Sequence, residues 1–344
     1  MCPDDVHGAG GANPVLVEVT RGGAVESRHR GAAAVVRADG TVAAAWGDIG
    51  AAVFPRSAIK SVQALPLVET GAADTFDVSD AELALACASH AGEPEHVERV
   101  AAWLARLGLG PDDLACGPQW PRRDADAHAM ARAGQTPSPL HNNCSGKHTG
   151  FLATALHKGE PTRGYAEPTH PVQQRVLGVF EQMSGTDLGA APCGIDGCSA
   201  PTWAMPLGNL ALAMARLAAP DDLPPARARA ARRVFAAMTA HPYLVAGTDR
   251  YCTTVMQAGA GALMVKTGAE GVYCAALPAH GLGIALKCDD GATRAAEVTM
   301  TALLLHLDLA AGALKARLEA LARPDITNWR GVAVGDVRTA GPLA

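Results

Sequence analysis

Residues 54–62, FPRSAIKSV, place a lysine one turn after a serine at the start of a helix. Pro55 leads into the run, and Ile59, Val62 and Leu65 recur at helical spacing to give it an apolar face. Lys60 therefore falls in the first turn, where the positive end of the helix dipole disfavours a cation by roughly 0.3–1 kcal/mol. A lysine that works as a neutral amine suits that place, because burial and a positive field both lower its pKa. Ser57 and Lys60 are three residues apart and share one helix face. The pair reads as a serine nucleophile with its own base. A helix-capping Ser57 with a solvated Lys60 is the competing reading, and Ser-x-x-Lys alone leaves both open.

The pattern changes on either side of this helix. VLVEVTRGG, residues 15–23, alternates apolar and polar side chains and ends in two glycines. GAAAVVRADGTVAAAWGD, residues 31–48, holds two strand-like runs around Asp39-Gly40, a hairpin signal. From Ser57 to about residue 260 the reading is mostly helical. DAELALACA (80–88, Asp80 as candidate cap), EHVERVAAWLARLGLG (95–110), HPVQQRVLGVFEQMSG (170–185) and LPPARARAARRVFAAMTAHP (223–242) carry it. Three short strand-like runs, ALMVKTG, GVYCAALP and LGIALKC, follow between residues 262 and 288, with turns at Ala269-Glu270 and His280-Gly281. GATRAAEVTMTALLLHL (291–307) and GALKARLEAL return to helix. Strands at both chain ends with helices between them predict an α+β fold. One antiparallel sheet is built from about 13–55 and 262–344, and a helical lobe, about 56–261, is inserted. No linker sets the lobe apart, so residues 13–344 are expected as a single domain and 1–12 as a disordered arm.

The chain has 344 residues, 49% of them hydrophobic, enough for a sizeable core. Its formal net charge of −5 comes with no basic stripe, which argues against a nucleic-acid partner. No apolar run approaches the roughly 18–20 residues of a membrane span. The start, MCPDDVHGAGGANP, has no charged segment followed by an apolar core, so no secretory signal is read and a cytoplasmic protein is expected. The nine cysteines, an odd number, form no disulfide-like framework and favour free thiols or a metal site.

Further chemistry lies along the chain. VKTG, with Lys266, Thr267 and Gly268, ends a candidate strand. Ser-x-x-Lys at a helix start followed by Lys-Thr-Gly on a strand is the pairing of penicillin-recognising enzymes. CASHAGEP, residues 87–94, supplies a second serine, Ser89, after a helical run; it suits a proton relay or simply a helix end. LHNNCSGKHTGFL (140–152) crowds Cys144, Lys147 and His148 together, and CGIDGCSAPTWAMPL (193–207) adds Asp196 and Cys198. Thiolates and imidazoles suit zinc, but no Cys-x-x-Cys occurs. Spacing leaves buried free cysteines, a disulfide and a metal site all open.

These segments, together with NPVLVEVTRGGAVESRHRGAAAVV, VFPRSAIKSVQALPLVETGAAD and VKTGAEGVYCAALPAHGLGIALKCDDGATRAAE, resemble the rhizobial-type, class 3 L-asparaginase family from about Asn13 to the tail. The resemblance implies a serine β-lactamase-like or glutaminase-like fold. It implies Ser57 as nucleophile, Lys60 as its base, and Ser89 with Lys266 as a second Ser–Lys pair. It implies Arg56, His148 and Asp196 at the substrate carboxylate. It also implies zinc held by Cys144, Lys147 and Cys198, an unusual set because lysine must lose its proton to bind. A homodimer is implied as well. The expected reaction is hydrolysis of L-asparagine to L-aspartate and ammonia through a β-aspartyl ester. A glutaminase, a β-lactamase or peptidase of the same fold, and a catalytically dead amino-acid or zinc sensor are the rival readings. Residues 249–262 match no expected role.

Overall fold

The computed structural model describes residues 11–344. The arm expected over residues 1–12 lies outside them, apart from its last two residues. The alternating N-terminal segments form β1 (Val15–Arg21), β2 (Ala24–Arg37) and β3 (Val42–Trp46), joined by hairpins. Gly22 and Gly23 make the first turn, at φ of 56° and 87°, the left-handed conformation that a two-residue hairpin needs.

The chain then runs through helices interrupted by four short strands. β4 (Ala52–Val53) pairs with β7 (Met205–Pro206), and β5 (Cys193–Ile195) pairs with β6 (Pro201–Trp203). The sequence reading made residues 56–261 mostly helical and missed β5, β6 and β7; β4 falls in the part it assigned to the sheet. Strands of two or three residues are too short to show a period. The cap assigned to Asp80 is also corrected. Asp80 is the first helical residue, and Ser79 caps the helix Asp80–Ala86: its hydroxyl accepts from Glu82 N at 3.3 Å while the Glu82 carboxylate accepts from Ser79 N at 3.0 Å.

β8 (Met264–Thr267), β9 (Val272–Leu277) and β10 (Leu282–Cys288) bring the chain back to the sheet. Two further strands, β11 (Asp325–Thr327) and β12 (Ala333–Thr339), close it. The order is β11-β12-β1-β2-β10-β9-β8, with β3 also on β2, and every ladder is antiparallel. Both chain ends therefore build one sheet with helices inserted between them, the α+β arrangement read from the sequence. β12 carries Gly335 and Asp336, poor strand formers, and is recruited by pairing with β1.

β2 shows why the pattern changes along one strand. Its first half alternates between exposed and covered side chains, whereas residues 31–36, GAAAVV, are all buried. The helix Leu207–Ala218 packs on that half of β2 and on β10. The approach is close: a Cβ at Gly283 would lie 2.1 Å from Ala215 N. Small residues on both partners permit it, which is what the alanine-rich composition supplies.

Candidate active site

Ser57 lies on a 3-10 turn, Arg56–Ile59, that leads into the helix Lys60–Gln63. The turn is seated against the end of β8, where a Cβ at Gly268 would come within 3.0 Å of Pro55 O and 3.2 Å of Ala58 Cβ. That close approach is why a glycine follows Lys266-Thr267. Arg56, the residue before Ser57, has φ of 50°. For a non-glycine residue this costs on the order of 1–3 kcal/mol and persists only where the surroundings enforce it. Here Arg56 Nε and Nη2 donate to Asp196 Oδ1 at 2.9 and 2.7 Å. Asp196 reaches Arg56 from the turn between β5 and β6, which also accepts Gly197 N at 2.7 Å on the same oxygen.

Lys60 is fully buried. Its amine donates to Ala88 O at 2.5 Å, Ser89 Oγ at 3.0 Å and Cys144 Sγ at 3.0 Å. Three acceptors match the three N–H bonds of an ammonium. Lys266, buried on β8, lies 2.8 Å from Ser89 Oγ and 2.9 Å from Thr267 O. Ser89 thus stands between two amines. Burial, reinforced by the charge of Lys60, lowers the Lys266 pKa to about 7. A neutral Lys266 accepts the Ser89 hydroxyl proton while Lys60 donates to the same oxygen, so each hydrogen-bonding group at Ser89 has a partner. Lys60, Ser89 and Lys266 come together from the start of a helix, a loop and a strand, and Ser57 lies on the 3-10 turn three residues before Lys60.

Cys144 precedes the buried helix Ser145–Lys158, whose first turn carries Lys147 and His148. This helix start is pressed so tightly on the helix Asp80–Ala86 that a Cβ at Gly146 would lie 2.3 Å from Leu85 O. Cys198, on the same turn as Asp196, accepts from Lys147 Nζ at 3.0 Å. Cys144 is pushed up by its hydrogen bond with Cys198 and by burial. Cys198 is pulled down by that hydrogen bond, and Lys147 adds to the effect against the opposing burial. For Lys147, burial lowers the pKa but the Cys198 and Cys144 sulfurs outweigh it, so the net direction is up.

His148 is fully buried, with Nδ1 2.8 Å from Tyr165 Oη and no hydrogen-bond partner at Nε2. Among the described residues no three His, Cys, Asp or Glu side chains converge to hold a metal. Cys144, Cys198 and Lys147 do converge, as two soft sulfurs and an amine inside the protein. That donor chemistry fits zinc, provided Lys147 gives up its proton. The eight cysteines among the described residues are free thiols.

Several residues around Ser89 carried no sequence signal for function. Buried Glu93, His90 and His96 join half-buried Tyr243 and Thr248 in one network.

A family model described as L-asparaginase II matches residues 17–339. No curated protein matches the chain. Among solved structures, Mglu in its native form is 13% identical, with 81% of this chain and 61% of that chain covered and a TM-score of 0.45. A β-lactamase from Mycobacterium bovis is 14% identical over 85% of this chain and 95% of its own, at a TM-score of 0.39. D-alanine carboxypeptidase AmpC from Burkholderia cenocepacia is 13% identical over 84% and 93%, also at 0.39. The chain spans 61% and 65% of the two Mglu structures it matches. No helix among the described residues is long and apolar enough to cross a membrane.

Proposed function

Because the chain belongs to the L-asparaginase II family, a family of amide hydrolases, we propose that it hydrolyses L-asparagine to L-aspartate and ammonia, with Ser57 as nucleophile. The observation that carries this reading is the Ser89 hydroxyl held between a proton-donating Lys60 and a Lys266 whose pKa is about 7. A serine needs a base to become a nucleophile at neutral pH, and this cluster makes one. Lys60 passes a proton to Ser89 Oγ as the Ser89 hydroxyl proton moves to Lys266. Lys60, now neutral, takes the Ser57 proton as Ser57 Oγ attacks the amide carbon. The C–N bond breaks, the amine leaves with the proton from Lys60, and a β-aspartyl ester remains on Ser57. Water then attacks the ester as its proton passes to the same base, the bond to Ser57 Oγ breaks, the base returns that proton to Ser57, and aspartate is released.

Arg56 offers its guanidinium to the substrate carboxylate while Asp196 fixes its orientation. The sequence also assigned His148 and Asp196 to the substrate. In the proposed reading Asp196 acts through Arg56, and His148 is held by Tyr165 on the helix turn that carries Lys147. Zinc bound at Cys144, Cys198 and Lys147 would supply a Lewis acid beside the substrate. No step above depends on it.

The test is ammonia and aspartate release from L-asparagine by the purified protein, with L-glutamine alongside. Release from asparagine supports the reading. A preference for glutamine would replace it with a glutaminase; one methylene is worth only about 1–3 kcal/mol of discrimination. Binding of asparagine without release from either amide would replace it with a sensor.

A further inference from the structure

Ser89 lies in a loop, residues 87–93, between the helices Asp80–Ala86 and Pro94–Arg106. The backbone of this loop is tied down on two sides: Ser89 N donates to Val245 O at 2.9 Å, and His90 N donates to Asn143 O at 3.3 Å. The segment that supplies Val245 O is in turn tied to this loop by the Glu93 side chain, which is only 3% exposed. The Glu93 carboxylate accepts from Thr248 N at 2.7 Å, Thr248 Oγ1 at 2.6 Å, Arg123 Nη1 at 3.2 Å and Tyr243 Oη at 3.4 Å.

The two segments fit closely. Gly247 has φ of 110°, and a Cβ there would lie 2.6 Å from both Ala91 Cβ and Glu93 Oε1. His96 closes the arrangement, accepting from Glu93 N at 3.2 Å and donating from Nε2 to Tyr243 O at 3.1 Å. It stacks on His90 and on Tyr243, with ring centroids 4.9 and 4.8 Å away. His90 reaches the other side of the site, with Nε2 2.9 Å from Ser145 Oγ.

We propose that Glu93 is the positioning residue for Ser89: it clamps the loop that carries Ser89 to the 243–248 segment, and so fixes the hydroxyl between Lys60 and Lys266. Isolating a carboxylate from water is costly unless donors surround it. Those donors join a loop on one side of the sheet end to the segment that binds Ser89 N, a junction the fold could close with apolar contacts. What a charged clamp adds is direction, because several hydrogen bonds to one carboxylate fix both segments at once. The clamp also gives the 243–248 segment, ahead of the stretch with no expected role, a task in the site. The inference rests on the proposed role of Ser89 as proton relay.

The experiment compares Glu93→Gln with Arg123→Gln. Arg123→Gln removes the exposed partner and leaves the clamp to Thr248, so its kcat stays near that of the parent protein. Glu93→Gln puts an amide among hydrogen-bond donors. Its kcat should fall roughly 10–100-fold, the effect of a small misplacement of a reacting group, with KM close to the parent value and the low-pH limb of the kcat profile displaced. In its crystal structure Ser89 Oγ should lie beyond hydrogen-bond reach of Lys266 Nζ. If Glu93→Gln does not fold, Thr248→Val, which removes only the hydroxyl donor, carries the same expectations. A lowered melting temperature with unchanged kcat and pH profile, or Ser89 still bonded to both amines, overturns the proposal. If the parent protein releases no ammonia, the amidase reading falls by itself and the crystal structures alone decide the clamp.

Discussion

Lys266 Nζ lies 2.8 Å from Ser89 Oγ, and Lys60 Nζ lies 3.0 Å from the same oxygen on another side. Two amines around one hydroxyl cannot both be comfortable as cations inside a protein, and burial together with the Lys60 charge lowers Lys266 to about 7. In the proposed mechanism the base is a coupled set, with the neutral amine on the strand and its proton route through Ser89.

The pH dependence follows from that value. Protonated Lys266 cannot accept the Ser89 proton, so kcat/KM should rise with pH across about 7 and level off above it. Arg250 is a smaller contributor to the lowered pKa. Arg250→Gln should therefore move the limb to higher pH while leaving the plateau near the parent value. A limb that stays in place in this variant, or one centred far from 7, contradicts the assignment.

Arg56 and Asp196 are tied by two hydrogen bonds to one carboxylate oxygen. Hydrogen bonds to charged groups are worth about 1.5–3 kcal/mol each. Asp196→Asn keeps the shape and removes the charge, and should lower kcat/KM for asparagine by at least about tenfold. Steady-state kinetics on the folded variant checks this; kinetics like the parent's would mean that Arg56 needs no such support.

His90 and His96 are buried and their pKa values are lowered, chiefly by burial. Each uses Nδ1 as an acceptor, from Gly92 N and Glu93 N. An unfolded histidine titrates at about 6.5. Below that pH the unfolded chain binds more protons than the folded one, so stability falls until the folded rings themselves protonate. Urea midpoints should be lower at about pH 5 than at about pH 7.5, and less so in His96→Asn. Equal pH dependence in the two proteins would remove His96 from the account.

Zinc binding at Cys144, Cys198 and Lys147 can be read without activity. Added cobalt(II) should give a thiolate-to-metal absorption band that zinc displaces and that is lost in Cys198→Ala. Affinity should weaken as pH falls, because all three donors must be deprotonated. A band of full strength in Cys198→Ala would place the metal elsewhere.

The sheet was legible where hydrophobic alternation and turn residues agreed, as in VLVEVTRGG and around Asp39-Gly40. β12 was not, because Gly335 and Asp336 hide a strand that exists by pairing with β1. The hairpin of β5 and β6 was too short to show a period, yet it delivers both Asp196 and Cys198. Lys60 was read as the amine facing Ser57. Its hydrogen bonds to Ala88, Ser89 and Cys144 were not legible, because they depend on chain segments distant in sequence. The Glu93 network was invisible for the same reason. Its partners are Arg123, Tyr243 and Thr248, and no local pattern marks them.

The most direct test of the central claim is the mass of the protein quenched in acid during turnover of L-asparagine. The account predicts a mass gain of one aspartyl group, mapped to the peptide that carries Ser57, and loss of both the adduct and ammonia release in Ser57→Ala. Ammonia release that persists in folded Ser57→Ala would contradict it.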